Sequence, residues 1–173
     1  MQFRDLNKKH GFTAVEILFV VVLIGILTAL AVKPVTGLLQ RIKIQNAADG
    51  VRRLLLNARV RAVSNSQRHC GVSFVLSNGT APTDYDYAFA FFDQAPPNAD
   101  NVYNVGDTLY GAKFKVSRGD KIKMTLVPAT TADIVFRGDG SANTGLNIVL
   151  TLNNYVDTVN VLPSTGRVKV IVK

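Results

Sequence analysis

The spacing of apolar and polar residues divides the chain into three stretches. From Phe12 to Val32 the sequence carries a single charged residue, Glu16, in 21 positions. From residue 34 to residue 66, apolar residues recur every three or four positions, which predicts a helix with one buried face. After Cys70 the period changes to two, which is typical of strands with one buried face.

The first stretch predicts a helix that spans a membrane. At about 1.5 Å per residue, its 21 residues would cover about 31 Å, the thickness of the hydrocarbon layer of a bilayer. Arg4, Lys8 and Lys9 precede it, so the positive-inside rule leaves residues 1–11 in the cytoplasm. Pro34 lacks a backbone donor and disfavours helix at the residue before it, which predicts a kink or a short interruption there.

The second stretch predicts that the helix resumes and lies on a domain. Its pattern ends near Ser64, where a Ser-Asn-Ser sequence favours a turn. Gly50 is expected to weaken this helix by about 1 kcal/mol relative to Ala. The predicted apolar stripe consists of Leu38, Ile42, Ala47, Val51, Leu54, Leu55, Ala58 and Ala62.

Residues 67–173 predict a β-rich domain. Turn sequences rich in Gly, Asn, Asp and Pro separate short runs that alternate in polarity. The predicted fold class is α+β, with antiparallel sheets packed on the second half of the helix. The predicted strands are Gly71–Leu76, Tyr87–Phe92, Lys113–Val116, Lys121–Val127, Asp133–Phe136, Leu146–Leu152, Tyr155–Leu162 and Arg167–Val172.

Charge and cysteine content narrow the classes of function. Residues 1–70 hold 11 Lys and Arg against three acids, whereas residues 71–173 hold nine of each sign. A neutral domain argues against strong binding of nucleic acid. The single cysteine excludes an internal disulfide and any site made of several cysteines. If His69 and Cys70 begin a strand, they point to opposite faces and cannot form a nucleophile and base pair.

Five acids lie in the loop sequence between the predicted strands. Carboxylates of this kind could bind calcium, but the Asp-x-Asp-x-Asp-Gly pattern of a calcium loop does not occur, which favours solvated loops. We therefore expect no enzyme activity, no cofactor and no metal. The five acids are Asp84, Asp86, Asp93, Asp100 and Asp107.

Glu16 is the feature that a plain membrane helix does not explain. A carboxylate at that depth costs about 2–3 kcal/mol and needs a partner. If the chain were cut between Gly11 and Phe12, the new α-amino group would lie about one helical turn from Glu16 and would be cationic near neutral pH. The amine of a neighbouring copy could then pair with Glu16, and a buried charge pair fixes register more reliably than it adds stability.

Two other interpretations of the first stretch compete with this one. A secretory signal would use the small-residue sequence Ala29-Leu30-Ala31 as its cleavage site and would leave a chain that begins at Val32. An uncleaved anchor would keep residues 1–11. Both interpretations treat Glu16 as an accident, which favours the cut after Gly11.

The sequence Gly-Phe-Thr-Ala-Val-Glu-Ile at residues 11–17 resembles the class III signal of type IV pilins and of type II secretion pseudopilins. The resemblance implies that a prepilin peptidase cuts between Gly11 and Phe12, that Phe12 is N-methylated, and that Glu16 is the assembly carboxylate. It also implies that Gly25 and Pro34 loosen the helix of the stalk.

Two further segments resemble one branch of these proteins, the GspH/FimT group of minor pilins and pseudopilins. One contains the Leu-Leu-x-x-Ala-Arg sequence that ends at Arg59, and the other contains a Phe-x-x-x-Gly turn from Phe136 and a closing Gly-Arg-x-basic strand. Residues 77–132 are unmatched. The resemblance implies a leader at 1–11, a transmembrane and assembly helix at 12–33, its amphipathic continuation at 34–66, and a globular domain at 67–173.

The same resemblance implies a location and a set of partners. The expected protein is held in the bacterial inner membrane by one helix, with its domain in the periplasm, before it enters a pilus or pseudopilus filament. Its expected partners are membrane lipid, the prepilin peptidase, the inner-membrane assembly platform and other pilin or pseudopilin subunits.

The resemblance also supplies an alternative function, a minor pilin that binds DNA for uptake in natural transformation. FimT-type minor pilins bind DNA through a Gly-Arg-x-Arg motif, and the matching DNA-binding positions here are Arg167 and Lys169, which follow Gly166. Lys169 lacks the bidentate fork of arginine, which favours a solvated strand face. A basic stripe able to bind phosphates would form if the strands of three basic ladders were neighbours. These ladders are Lys113/Lys115, Lys121/Lys123 and Arg167/Lys169.

Overall fold

The computed structural model describes residues 12–65, 68–76, 86–93, 101–104, 106–116, 121–129 and 132–172, with the side chains of residues 31–34 left out. Within this part of the chain, one helix precedes a series of strands, and the predicted α+β class is confirmed. The elements are α1 (Ala14–Ser64), β1 (Cys70–Val75), β2 (Tyr87–Phe92), β3 (Thr108–Lys115), β4 (Lys123–Val127), β5 (Asp133–Phe136), β6 (Leu146–Leu152), β7 (Tyr155–Leu162) and β8 (Arg167–Val172).

Helix α1 ends where the turn sequence predicts. The backbone N–H of Asn65 donates to the carbonyl oxygen of Arg61 at 2.9 Å, and the Ser64 hydroxyl donates to the same oxygen at 3.1 Å. These bonds occupy a carbonyl that the end of a helix leaves open. The chain forms two compact units, Met1–Leu39 and Gln40–Lys173, and α1 contributes to both.

The second unit contains two antiparallel sheets. Sheet A has the strand order β3-β2-β1-β5, and sheet B has the order β4-β6-β7-β8. Strand β3 is therefore an edge of sheet A, and β4 and β8 are the two edges of sheet B. Strands β6, β7 and β8 follow one another as hairpins, with Asn153 in the left-handed region at φ 52° in the first turn.

Side chains from α1 and from both sheets form one apolar core. Each large side chain that is fully buried stabilises the fold by about 1.5–3 kcal/mol. The predicted stripe of the helix is partly wrong, since Ile42 is 42% exposed whereas Ile44 is 1% exposed. A shift of two residues turns a helix by about 200°, so these two isoleucines cannot face the same way. The buried helix residues are Ile44, Ala47, Ala48, Val51, Leu55, Ala58 and Ala62.

Sheet A is also buried on the face that points away from this core. The ring of Tyr103 packs edge-on against Phe89 and Phe91, with ring centroids 4.9 and 5.3 Å apart. The backbone N–H of Tyr103 donates to a carboxylate oxygen of Asp133 at 3.0 Å, which fixes the covering segment to β5. Strand β1 is therefore buried nearly throughout instead of alternating.

The strand bounds agree with prediction except at three strands. Strands β2, β5, β6, β7 and β8 coincide with the predicted ranges, and β1 is displaced by one residue. Strand β4 begins at Lys123 instead of Lys121, and β3 begins at Thr108 instead of Lys113. In β3 the register with β2 shifts in a bulge, and Gly111 lies there at φ +77°. The bulge interrupts the two-residue period, so the first half of β3 does not show in the sequence.

Candidate functional site

Thr13 and Glu16 cap the start of α1 through hydrogen bonds to each other. Oxygen Oε2 of Glu16 accepts hydrogen bonds from the Thr13 backbone N–H at 2.8 Å and from the Thr13 hydroxyl at 2.9 Å. In return, the Glu16 N–H donates to the Thr13 hydroxyl oxygen at 3.3 Å. This reciprocal pair is a capping box. The Thr-Ala-Val-Glu sequence has the residue spacing of a capping box. This spacing identifies Thr13 as a partner of Glu16, which the charge of Glu16 alone does not.

Glu16 thus has a partner within its own chain. The two donors on Thr13 offset part of the desolvation of the carboxylate, and negative charge in the first turn suits the helix dipole. An ionised carboxylate can accept about four hydrogen bonds. The bonds from Thr13 therefore leave room for a further donor, such as an α-amino group at Phe12.

The apolar part of α1 in the first unit is exposed. Phe12 is 83% exposed and Leu30 is 71% exposed. Among the described residues, α1 is the helix that is long and apolar enough to cross a membrane, by length and composition. An apolar surface of this length needs lipid or other helices to cover it.

The structure provides less evidence on the other residues predicted for processing and assembly. Gly11 lies outside the described residues, together with the rest of the predicted leader, so the cut between Gly11 and Phe12 stays a prediction. The backbone of α1 is helical at both Gly25 and Pro34, so the short interruption expected at Pro34 is not present in this helix. Their role in loosening the stalk during assembly stays a prediction.

Arg59 joins the segments that resemble the GspH/FimT group. Its Nε donates to the carbonyl oxygen of Gly140, 81 residues away, at 3.1 Å. Gly166 packs so closely against this carbonyl that a Cβ at Gly166 would overlap it. Gly166 also has φ +58°, a conformation that favours glycine. The helix motif, the turn after Phe136 and the turn before Arg167 therefore meet at one junction, which we call the Arg59 junction.

Arg167 and Lys169 lie on the outer face of sheet B. In the strand register, Lys169 is opposite Asn160, which is opposite Asn147. Lys123 projects from the same face at the β4 edge. The face contains no acidic residue within the described strands. Its residues are Lys123, Thr125, Val127, Asn147, Val149, Thr151, Val156, Thr158, Asn160, Leu162, Arg167, Lys169 and Ile171.

The condition for a basic stripe, that the strands of the three basic ladders are neighbours, is not met. Strands β4 and β8 are separated by β6 and β7, a distance of about 14 Å at about 4.8 Å per strand. Strand β3, with Lys113 and Lys115, belongs to the other sheet. The structure instead gives sheet B one outer face with cations at both of its edges.

Burial changes the electrostatic picture of the domain. Among the described residues from 40 to 173, thirteen of fourteen Lys and Arg are exposed, whereas one of seven acids, Asp139, is exposed. Asp86 accepts the backbone N–H of Met124 at 2.7 Å, and Asp93 accepts that of Asn101 at 3.0 Å. The prediction of solvated loops is therefore wrong for these two acids, while Asp84 and Asp100 lie outside the described residues. The described surface is basic because most of the described acids are buried or half-buried, whereas most of the described lysines and arginines are exposed.

The thiol of Cys70 is buried. Burial raises the pKa of the Cys70 thiol to about 11, so the thiol stays protonated near neutral pH and is a poor nucleophile. His69 Nδ1 lies 4.0 Å from Asp93 Oδ2. In the described part of the chain, no three His, Cys, Asp or Glu side chains are grouped as metal ligands.

Comparison with protein-family models, with curated proteins and with solved structures finds no match to this chain. The class of architecture rests on the fold itself: a long, apolar N-terminal helix packed on antiparallel sheet, which is pilin-like.

Proposed function

We propose that this protein is a minor subunit of a type IV pilus or of a type II secretion pseudopilus. A prepilin peptidase cuts the inner-membrane precursor between Gly11 and Phe12, and Phe12 is methylated. The assembly platform then inserts the chain among other subunits, with its domain on the periplasmic side. The α-amino group of Phe12 in one copy pairs with Glu16 of the next copy and so fixes the stagger of the helices.

The observation that carries this proposal is the exposed apolar half of α1 with one carboxylate in its first turn. In the membrane these side chains are already surrounded by lipid, so the close packing of the side chains from Phe12 to Leu30 against neighbouring helices supplies the energy of assembly. Apolar contacts alone allow one helix to slide along another. Glu16 removes that freedom because a buried charge leaves its partner only at a large cost.

The intact mass of the protein extracted from membranes tests the processing step. The expected chain begins at Phe12 and carries one methyl group. A chain that begins at Val32 would instead support a secretory signal, and one that keeps Met1 would support an uncleaved anchor. Either result would contradict the proposal.

A second experiment tests the role of Glu16 in assembly. Glu16→Gln keeps the size of the side chain and removes its charge, so the variant should remain in the membrane but fail to enter filaments. Thr28→Val is the matched control, because Thr28 is another polar residue of the same exposed helix and its hydroxyl bonds only locally, to the Ile24 carbonyl at 2.8 Å. Equal incorporation of both variants would contradict the proposed pairing.

The outer face of sheet B favours one alternative function, a minor pilin that binds DNA for uptake. This face carries Arg167, Lys169 and Lys123 without an acid, so it suits contact with phosphates that does not read bases. A DNA shift assay titrated with salt tests it on the full chain in detergent. Binding that weakens with salt and with Arg167→Ala plus Lys169→Ala would support uptake. The control pair is Arg68→Ala plus Arg137→Ala, two exposed arginines elsewhere.

A further inference from the structure

Three adjoining hollows follow one line on the surface of the second unit, between α1 and β3. Their volumes are about 580, 630 and 490 Å³. The hollows share wall residues, so they form one continuous groove. It runs along α1 from Lys43 to Ser64 and along β3 from Tyr110 to Lys115. We call this groove the α1–β3 seam.

One wall of the seam is a free strand edge. Within the described residues, β3 pairs with β2 and has no strand on its other side. At the bulge, Gly111, Ala112 and Lys113 have no partner residue in β2. An unpaired edge offers backbone N–H and C=O groups to an added strand.

The floor of the seam is apolar and closely packed. The Phe114 ring lies against Gly50 of the helix so tightly that a Cβ at Gly50 would overlap it. Gly50, which is expected to weaken the helix, is the position at which the helix admits this ring. Leu54, half-buried, continues the floor. Such a floor can accept the apolar side chains of every second residue of an extended peptide.

The rim of the seam is strongly basic. Among the described residues, its charged members are Lys43, Arg53, Arg61, Lys113, Lys115 and one acid, Asp49. Lysine at a strand edge repels the same edge of a second copy, which prevents self-association. The same charges attract a strand that carries acids, so the edge discriminates between partners by charge.

We propose that the α1–β3 seam binds an extended acidic segment of a partner polypeptide, which adds to sheet A as a strand beside β3. The six residues from Tyr110 to Lys115 span about 20 Å, room for a segment of similar length. Acidic side chains of the segment contact the rim, and the alternate apolar side chains lie on the floor. This binding does not depend on the proposed role of the protein in a filament.

Nucleic acid fits the seam less well than a peptide does. Single-stranded nucleic acid is bound by stacking its bases on accessible aromatic rings. The Tyr110 ring already has Phe92 at 4.5 Å and the Arg61 guanidinium at 4.7 Å. The Phe114 ring lies against Gly50. The Tyr110 ring is therefore already in contact with other groups, and Phe114 alone does not provide the series of rings on which successive bases stack.

Fluorescence anisotropy with a labelled alternating Glu-Val octapeptide tests the proposal on the full chain in non-ionic detergent. The peptide should bind, and an alternating Lys-Val octapeptide should not. Arg53→Glu plus Lys113→Glu should weaken binding about tenfold, since two attractive rim charges are lost and two repulsive charges are added. The matched control is Arg52→Glu plus Arg68→Glu, which changes the net charge equally at exposed positions outside the seam.

Two further arms separate strand addition from general attraction. A Glu-Val octapeptide that is N-methylated at every residue keeps its charge but has no backbone N–H to donate to a strand edge, so it should bind more weakly. Asn57→Trp, which fills the middle of the seam from an exposed helix position, should also weaken binding. The proposal is overturned if the acidic peptide does not bind, if both charge-reversed pairs lose affinity equally, if N-methylation has no effect, or if a thymidine oligonucleotide displaces the peptide at lower concentration than unlabelled peptide does.

Discussion

Replacing Gly166 by alanine tests the Arg59 junction directly. Gly166 lies at φ +58°, where an L residue costs about 1 kcal/mol more than glycine. The added Cβ would also overlap the carbonyl oxygen of Gly140. This oxygen is backbone, so the turn must move and the hydrogen bond from Arg59 is stretched or lost. A hydrogen bond to a charged group contributes about 1.5–3 kcal/mol, and the half-buried position of Arg59 favours the lower end.

The expected loss for Gly166→Ala is therefore about 3 kcal/mol, out of a total of about 5–15 kcal/mol for a domain. For a chain of this size, each kcal/mol lowers Tm by about 2–4 °C, which gives a fall of about 6–12 °C. Near-ultraviolet circular dichroism in detergent is a suitable assay. The protein has five tyrosines and no tryptophan, and all five tyrosines lie between residues 85 and 155, so the tyrosine band of the spectrum reports on the second unit alone.

Gly111→Ala is the matched control for this prediction. Gly111 has φ +77°, also in the left-handed region, but an added Cβ would meet nothing within 4 Å. It should lose only about 1 kcal/mol. If the two variants melt at the same temperature, the contact with Gly140 is not what requires glycine at 166. In a double-mutant cycle, Arg59→Ala and Gly166→Ala should lose less together than the sum of their separate effects, because both disrupt the same contact.

Three more predictions follow from buried or paired groups. Asp86→Ala should lower the free energy of unfolding by about 2–3 kcal/mol, since it leaves the backbone N–H of Met124 buried without its acceptor; a thermal melt that matches wild type would contradict this. Cys70 should react slowly with a thiol reagent at about pH 8 until denaturant is added. Because burial raises the pKa of the Cys70 thiol from 9.0 to about 11, the contribution of the buried thiol to the free energy of unfolding is present below pH 9.0 and is lost as the pH rises towards 11. Rapid labelling of the folded protein would show that the thiol is not buried. Thr13→Val should reduce helix content at the start of α1, seen as faster hydrogen exchange of the first-turn amides, by removal of a cap that contributes about 1 kcal/mol.

The elements of the domain could be predicted because most strands have one buried face. In β6, buried and half-buried residues alternate without exception, so the sequence shows the strand as clearly as the structure does. Strand β3 could not be predicted in full, since its bulge at Gly111 breaks the period. The predicted buried face of the helix differs from the observed one for a different reason. Ile42 and Ile44 are equally apolar, and only the position of the sheets decides which of them is covered.

A candidate site could be predicted only where a residue is of a type that the surrounding sequence does not explain. Glu16 stands out because a carboxylate in an apolar run is costly, and Gly166 and Arg167 stand out through a resemblance. Which strands are neighbours cannot be read from alternation, so the sequence left open whether Lys123 and Lys169 lie in one stripe, and the strand order shows that they do not. The burial of Asp86 could not be foreseen either, because its partner is a backbone group 38 residues away.

The capping box changes what must be explained about Glu16. If the Glu16 carboxylate had no hydrogen-bond donor in the isolated chain, its pairing with a neighbouring subunit would be driven mainly by the cost of an unpaired charge in hydrocarbon. Since Thr13 already donates two hydrogen bonds to it, the cost of the unassembled state is lower, and the gain on pairing is smaller by the same amount. The apolar side chains must then supply most of the energy of assembly, while Glu16 selects one stagger among many of similar burial. On this account, Glu16→Gln should leave membrane retention unchanged and abolish ordered filaments, whereas Thr13→Val should leave the stagger intact and shift only the ease with which the helix forms.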